Sequence, residues 1–114
     1  MKEKTTHTFQ LPDLTEPCCS LDINGEEQAL LVQIFKALGH PIRFEILKYL
    51  LTHPGCITRE IVKDMPLAQA TISQHLKVLY EAGLVERFAA GTATCYTLNA
   101  ERIGWIKKTV GDIF

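Results

Sequence analysis

Three of the four cysteines occupy positions where their thiolates could bind a soft metal ion. Cys18 and Cys19 are adjacent and follow Pro17 in a polar stretch. Cys56 follows Gly55 just before a predicted helix, in what we expect to be a loop able to adjust. Adjacent side chains diverge on a helix, so Cys18 and Cys19 could share an ion only from extended or turned backbone. A proline before them favours that backbone. The cysteines show neither a CxxC pair nor a disulfide framework, so we expect free thiols in a reducing cytosol.

Each cysteine also has an interpretation without a ligand. Cysteine is among the most buried residue types, so Cys56 suits a core position as well as a metal site. Cys95 lies in a predicted strand on the face opposite Tyr96 and Leu98, and packing or partial exposure is expected there in place of ligation. The three candidate thiols could alternatively form a disulfide under oxidant, and His7 or His53 could add a nitrogen ligand for zinc or cadmium.

Polar residues at helical spacing form a second candidate site, between positions 69 and 77. Ile72, Leu76 and Leu79 recur at i, i+4 and i+7, so a helix from about Gln69 to Ala82 would bury one face and expose the other. Side chains of this size and polarity can contact base edges and phosphates from a major groove. The candidate DNA-contacting residues, with nearby basic residues included, are Gln69, Thr71, Ser73, Gln74, His75, Lys77 and Arg87.

The flanking pattern predicts the rest of a helix-turn-helix. Thr58 is a plausible N-cap for a preceding helix, which Pro66 stops because proline lacks the amide hydrogen. Gly83 is expected to end the second helix in a left-handed conformation. Two strands, 84–88 and 94–98, with a turn at 90–92, predict a hairpin directly after the candidate DNA-contacting helix.

Three further helices surround this unit. Asn24 is expected to cap the first, which has an apolar stripe of Leu30, Leu31, Ile34, Phe35 and Leu38. Pro41 opens the second, which we expect to be buried through Ile42, Ile46, Leu47, Leu50 and Leu51. The last, 100–113, carries an apolar seam of Ile103, Ile106, Val110 and Ile113. The predicted fold is mainly α, a winged helix-turn-helix in the order α-α-α-α-β-β-α.

Length and composition limit the class of protein. The 114 residues suit one domain, 25–114, preceded by a flexible arm at 1–24, where Pro12 and Pro17 interrupt any period. No apolar run could span a membrane and no signal peptide is evident, so we expect a cytoplasmic protein. The net charge of −1 predicts modest nonspecific affinity for DNA. The sequence has no cysteine beside a phosphate-cradling loop and suggests no Ser/His/Asp arrangement. We therefore do not expect an enzyme.

The order of elements resembles the ArsR/SmtB family of metal-sensing repressors over about residues 25 to 110. The resemblance is carried by FKALGHPIRFEILKYL at 35–50, ATISQHLKVLYEAGLVERF at 70–88 and CYTL at 95–98. It implies a winged-helix homodimer that represses an operon and leaves its double-stranded operator when an effector binds. It also places the candidate polar residues where family members contact DNA.

Departures from the family pattern bear on the effector. Ile57 and Arg59 stand where well-known arsenic sensors have Cys-Val-Cys, and the last helix lacks histidine and so lacks the zinc ligands of other members. Ala68 replaces a common serine, which weakens the helix cap by ~1 kcal/mol. The remaining cysteines resemble those of arsenite sensors that pair an N-terminal Cys-Cys with a third cysteine.

The resemblance therefore implies As(III) as effector, bound by Cys18, Cys19 and Cys56, with no permanent cofactor. Trivalent arsenic is thiophilic and pyramidal, and three thiolates satisfy it, whereas structural zinc takes four ligands. Cadmium, lead or zinc at the same thiols, and an oxidant or persulfide acting on them, are the alternatives.

Overall fold

The computed structural model describes residues 21–53 and 55–114, which form five helices and a small sheet. The helices are α1 Gly25–Leu38, α2 Pro41–Thr52, α3 Thr58–Asp64, α4 Gln69–Glu81 and α5 Ala100–Ile113. The strands are β1 Cys56–Ile57, β2 Val85–Ala90 and β3 Ala93–Leu98. The predicted winged helix-turn-helix is confirmed. Cys18 and Cys19 lie outside the described residues, so the division of the chain at residue 24 stays a prediction.

Strand β1 was not predicted. The sheet order is β1-β3-β2, and both pairings are antiparallel. Cys56 pairs with Tyr96 across the β1–β3 ladder, so the expectation that Cys56 lies in an adjustable loop is wrong. Two residues are too few to show an alternating pattern, which explains why the sequence did not reveal this strand.

The wing is the hairpin of β2 and β3. Gly91 begins its two-residue turn at a φ of 63°. A positive φ at the first central residue is typical of a type II′ hairpin turn, and it favours glycine there.

The core lies between α1, α2, α3, α4 and the start of the wing. Its largest fully buried side chains are Ile34, Ile46, Leu50, Ile61, Ile72, Leu76, Leu79, Leu84 and Val85. The apolar stripe of α4 is therefore confirmed. Leu51 on α2 is 58% exposed, so the prediction that it is buried is wrong. Phe35, in the apolar stripe of α1, is 47% exposed. Apolar periodicity gives the buried face of a helix but not the width of that face.

Helix ends fix the position of α4. After α4, the amide of Gly83 donates to the carbonyl of Tyr80 and the amide of Leu84 donates to that of Leu79. This is a Schellman motif, and Gly83 has the expected left-handed φ of 76°. At α1, Asn24 occupies the N-cap position as predicted, but its side chain makes no capping hydrogen bond.

Helix α5 begins and ends where the sequence predicted, yet none of its 14 residues is fully buried. Ile103, Ile106, Val110 and Ile113 are all half-buried. Within the described part of the chain, no helix combines the length and apolar character needed to cross a membrane.

Candidate nucleic-acid interface

The first turns of α4 present polar side chains at an exposed helix end. Gln69, Thr71, Gln74 and Lys77 are exposed and Ser73 is half-buried. Ala68, the N-cap residue, makes no side-chain capping bond. The N-terminal amides of α4 are therefore not satisfied by their own cap, and such amides favour an anion such as a phosphate.

A polar groove of ≈ 410 Å³ joins this end of α4 to the wing. We call it the reading groove, and its lining residues are Thr58, Arg59, Gln69, Ser73, Thr92, Ala93, Thr94 and Tyr96. The lining includes one cation, Arg59, and no carboxylate. Hydroxyl and amide groups with a cation suit a phosphodiester backbone beside base edges.

Several groove residues were missed as contacts in the sequence. Thr94 and Tyr96 could have been found from strand alternation, because i and i+2 residues of a strand share a face. Arg59 lies in the first turn of α3, directly after Thr58, and its charge beside the predicted DNA-contacting helix already indicated this position in the sequence.

Arg87 lies within β2, opposite Tyr96 in β3 and not at the hairpin tip. Its guanidinium carbon lies 4.0 Å from the centroid of the Tyr80 ring on α4. This cation–π contact ties the wing to the DNA-contacting helix. Arg87 is exposed, so it keeps a face for a phosphate.

His75 lies on the side of α4 that faces α2. It is half-buried, and its ring centroid is 4.6 Å from that of His40, the N-cap of α2. Its Nδ1 lies 3.5 Å from Nη1 of Arg43. Burial lowers the pKa of His75 below its ordinary value, and repulsion from His40 and Arg43 lowers it further. One side of His75 therefore packs toward α2, and its contact with DNA stays a prediction.

Of the three candidate metal ligands, only Cys56 lies among the described residues. Cys56 lies in β1, directly before α3, while Cys18 and Cys19 lie outside the described residues. Cys95 is a buried free thiol, as the packing interpretation predicted. Across residues 21–53 and 55–114, no group of three or more His, Cys, Asp or Glu side chains is placed to hold a metal ion. The three-cysteine site stays a prediction.

Comparison with known proteins defines the class. The family model described as "Bacterial regulatory protein, arsR family" matches residues 40–87, which include the whole helix-turn-helix. The chain belongs to this family of DNA-binding transcriptional regulators and is not an enzyme.

Individual relatives and solved structures are also transcriptional regulators. The chain is 34% identical to an uncharacterized HTH-type transcriptional regulator of Methanocaldococcus jannaschii over 77% of its length and 99% of the relative. It is 32% identical to the arsenical resistance operon repressor of Bacillus subtilis, over 72% of its length and 79% of that protein. Among solved structures, an ArsR-like transcriptional regulator from Rhodococcus sp. RHA1 matches with a TM-score of 0.69 at 27% identity, covering 75% of this chain and 80% of that one.

Proposed function

We propose that this protein is an arsenite-responsive transcriptional repressor. It binds operator DNA as a homodimer and dissociates when As(III) binds Cys18, Cys19 and Cys56. The single observation that carries the proposal is the position of Cys56. Its backbone pairs with Tyr96, a lining residue of the reading groove, and it stands two residues before Thr58, where α3 begins.

The position of Cys56 would couple effector binding to DNA binding through few intervening residues. A ligand that pulls on Cys56 strains the β1–β3 pairing, which holds the wing against the start of α3. Movement of either element changes the reading groove, because residues of α3, α4 and β3 all line it. A coupling free energy of ~2–3 kcal/mol between the two sites is enough to empty an operator.

The chemistry of three thiolates favours trivalent arsenic over zinc, which takes four ligands in structural sites. The similarity to an arsenical resistance operon repressor supports the same effector. Cadmium or lead at these thiols, and oxidation to a disulfide, are the competing triggers.

Support for a homodimer comes from apolar surface on α1 and α5. Val32 and Phe35 of α1 are 45% and 47% exposed. The seam of α5 is only half-buried within one chain. A second copy covering both helices would bury these side chains and set two reading grooves at the spacing of DNA half-sites.

The test is fluorescence anisotropy of the protein on DNA from its own upstream promoter. Arsenite, cadmium, lead, zinc and hydrogen peroxide are titrated separately into the complex. We expect arsenite to release the DNA at the lowest concentration and hydrogen peroxide to leave it bound, with no thiol reductant in the assay because thiols bind arsenite. If only cadmium, lead, zinc or peroxide released the DNA, the protein would still be a repressor, but its effector would not be arsenite. Tight DNA binding that none of these five compounds weakens would contradict the sensing role.

A further inference from the structure

One contact joins three helices, and none of its side chains lines the reading groove or belongs to the proposed metal site. His40, Arg43 and His75 form it, and we call these three residues the helix clamp. Arg43 of α2 donates from Nε to the carbonyl of Ala37 at 2.6 Å and from Nη2 to the carbonyl of Lys36 at 3.3 Å. Both carbonyls belong to the last turn of α1, where a helix leaves its acceptors unpaired.

The third nitrogen of Arg43 reaches the DNA-contacting helix. Nη1 lies 3.5 Å from Nδ1 of His75 on α4, at the long end of hydrogen-bond distance. Arginine has no acceptor, so this contact is a hydrogen bond only when Arg43 donates and His75 accepts at Nδ1. The clamp therefore joins α1, α2 and α4 only while His75 is neutral.

His40 imposes the same condition. Its Nδ1 accepts from the backbone amide of Ile42 at 3.1 Å and so caps α2. A proton on that nitrogen would remove the acceptor. The two imidazole rings are tilted by 45° with centroids 4.6 Å apart, so a charge on one ring lies close to the other.

Nothing around His75 within the described part of the chain compensates a positive charge. The charged or titratable groups that act on it are His40 and Arg43, and both oppose protonation. From α1 the clamp receives only backbone carbonyls, which Arg43 already occupies. Protonation of His75 would thus set two cationic groups against each other at the joint between α2 and α4.

We propose that the helix clamp positions α4 for DNA, so that His75 acts through Arg43 as a positioning residue and does not itself contact the operator. Ser73 and Gln74, two and one residues before His75, are among the side chains it would orient. Operator affinity should then fall as pH decreases. This inference rests on DNA binding by the reading groove and not on arsenite as effector.

The sign of the pH dependence separates the two roles of His75. A histidine that contacts a phosphate binds DNA more tightly when protonated, because it adds a charge to the interface. A clamp that requires neutral imidazole predicts the opposite sign. If the DNA-bound protein disfavours a proton that the free protein can take up, affinity is full above the pKa of His75 in the free protein and falls below it.

The experiment is operator binding by the full chain, followed by anisotropy between about pH 7.5 and pH 5.5 at constant ionic strength, the range in which histidine titrates. We expect wild-type affinity to fall about tenfold for each pH unit by which DNA binding lowers the pKa of His75. His75→Gln keeps an acceptor for Arg43 but cannot titrate. It should bind within about threefold of wild type at the upper pH and lose most of the pH dependence.

Two controls make the result specific. His53→Gln removes another imidazole, outside the clamp, and should retain the wild-type profile. Thermal melts at each pH report folding. Wild-type affinity that rises at low pH, or a slope unchanged in His75→Gln, would overturn the clamp, as would a loss of affinity that coincides with global unfolding. Absence of DNA binding at every pH would instead refute the operator-binding function.

Discussion

The thiol of Cys95 in β3 donates to the carbonyl oxygen of Gly55, with 2.7 Å between Sγ and the oxygen. Gly55 directly precedes Cys56, so this bond ties the middle strand of the sheet to the backbone of the candidate metal ligand. Cys95 is 8% exposed. Its part in the fold is to hold β1 against the wing, which is a structural role and not ligation.

Replacing Cys95 should therefore lower stability. We expect Cys95→Ala to reduce the free energy of unfolding by ~1–2 kcal/mol, because it removes packing and leaves the Gly55 carbonyl without its donor. Cys95→Ser keeps a donor and should cost less. Urea denaturation of both variants measures the difference, and equal stability of Cys95→Ala and wild type would show that the bond contributes nothing.

A side chain at position 83 should destabilise the protein. Its φ is 76°, and a Cβ there would lie 3.3 Å from Nε of Arg102, an atom that is buried. We expect Gly83→Ala to destabilise the protein by ~1–2 kcal/mol through the strained left-handed conformation. Gly104→Ala in α5, where a Cβ meets nothing within 4 Å, should be neutral or stabilising. Thermal denaturation compares the two, and equal shifts in Tm would contradict the explanation.

Exposed phenylalanines on two helices test the proposed dimer face. Phe35 on α1 and Phe44 on α2 are 47% and 48% exposed, so they are matched in accessible surface. Phe35→Glu should weaken dimerisation at least about tenfold, because it places a charge in an apolar contact. Phe44→Glu, outside the α1 and α5 face, should leave it unchanged. Sedimentation velocity over a concentration series gives both dissociation constants. A dimer lost in Phe44→Glu but not in Phe35→Glu would move the interface to α2.

The reading groove predicts a role for Arg59. We expect Arg59→Ala to reduce operator affinity and to lower the slope of log affinity against log salt by about 1, the value for one phosphate contact. Lys48→Ala on α2 removes a cation that pairs with Glu45 away from the groove, and both quantities should stay at wild-type values. Anisotropy at several salt concentrations measures them. An unchanged slope in Arg59→Ala would exclude it from the DNA backbone.

Much of the fold was predictable because helices carry long periodic signals. The repeat of Ile72, Leu76 and Leu79 and the stop at Gly83 place α4 nearly as observed, and α5 was predicted at its observed bounds. Strand β1 was not predictable, since two residues gain their hydrogen bonds entirely from β3, 40 residues away in the chain. Long-range pairing of that kind leaves no local pattern.

The sequence predicted the residue types of the candidate site better than it predicted where each side chain points. Gln69 and Ser73 do line a groove with the wing, as a DNA-contacting helix requires. His75 shares their helix but turns toward His40 and Arg43, because α2 packs on that side of α4. Polarity alone cannot tell a histidine that faces a ligand from one that faces a neighbouring helix.

The most direct test of the arsenite-sensing account is release of operator DNA by arsenite in three proteins compared side by side: wild type, Cys56→Ser and Cys95→Ser. All three should bind the operator equally without arsenite. We expect arsenite to release DNA from wild type and Cys95→Ser but not from Cys56→Ser, because Cys56 is a proposed ligand and Cys95 is not. Normal release from Cys56→Ser would contradict the three-cysteine site.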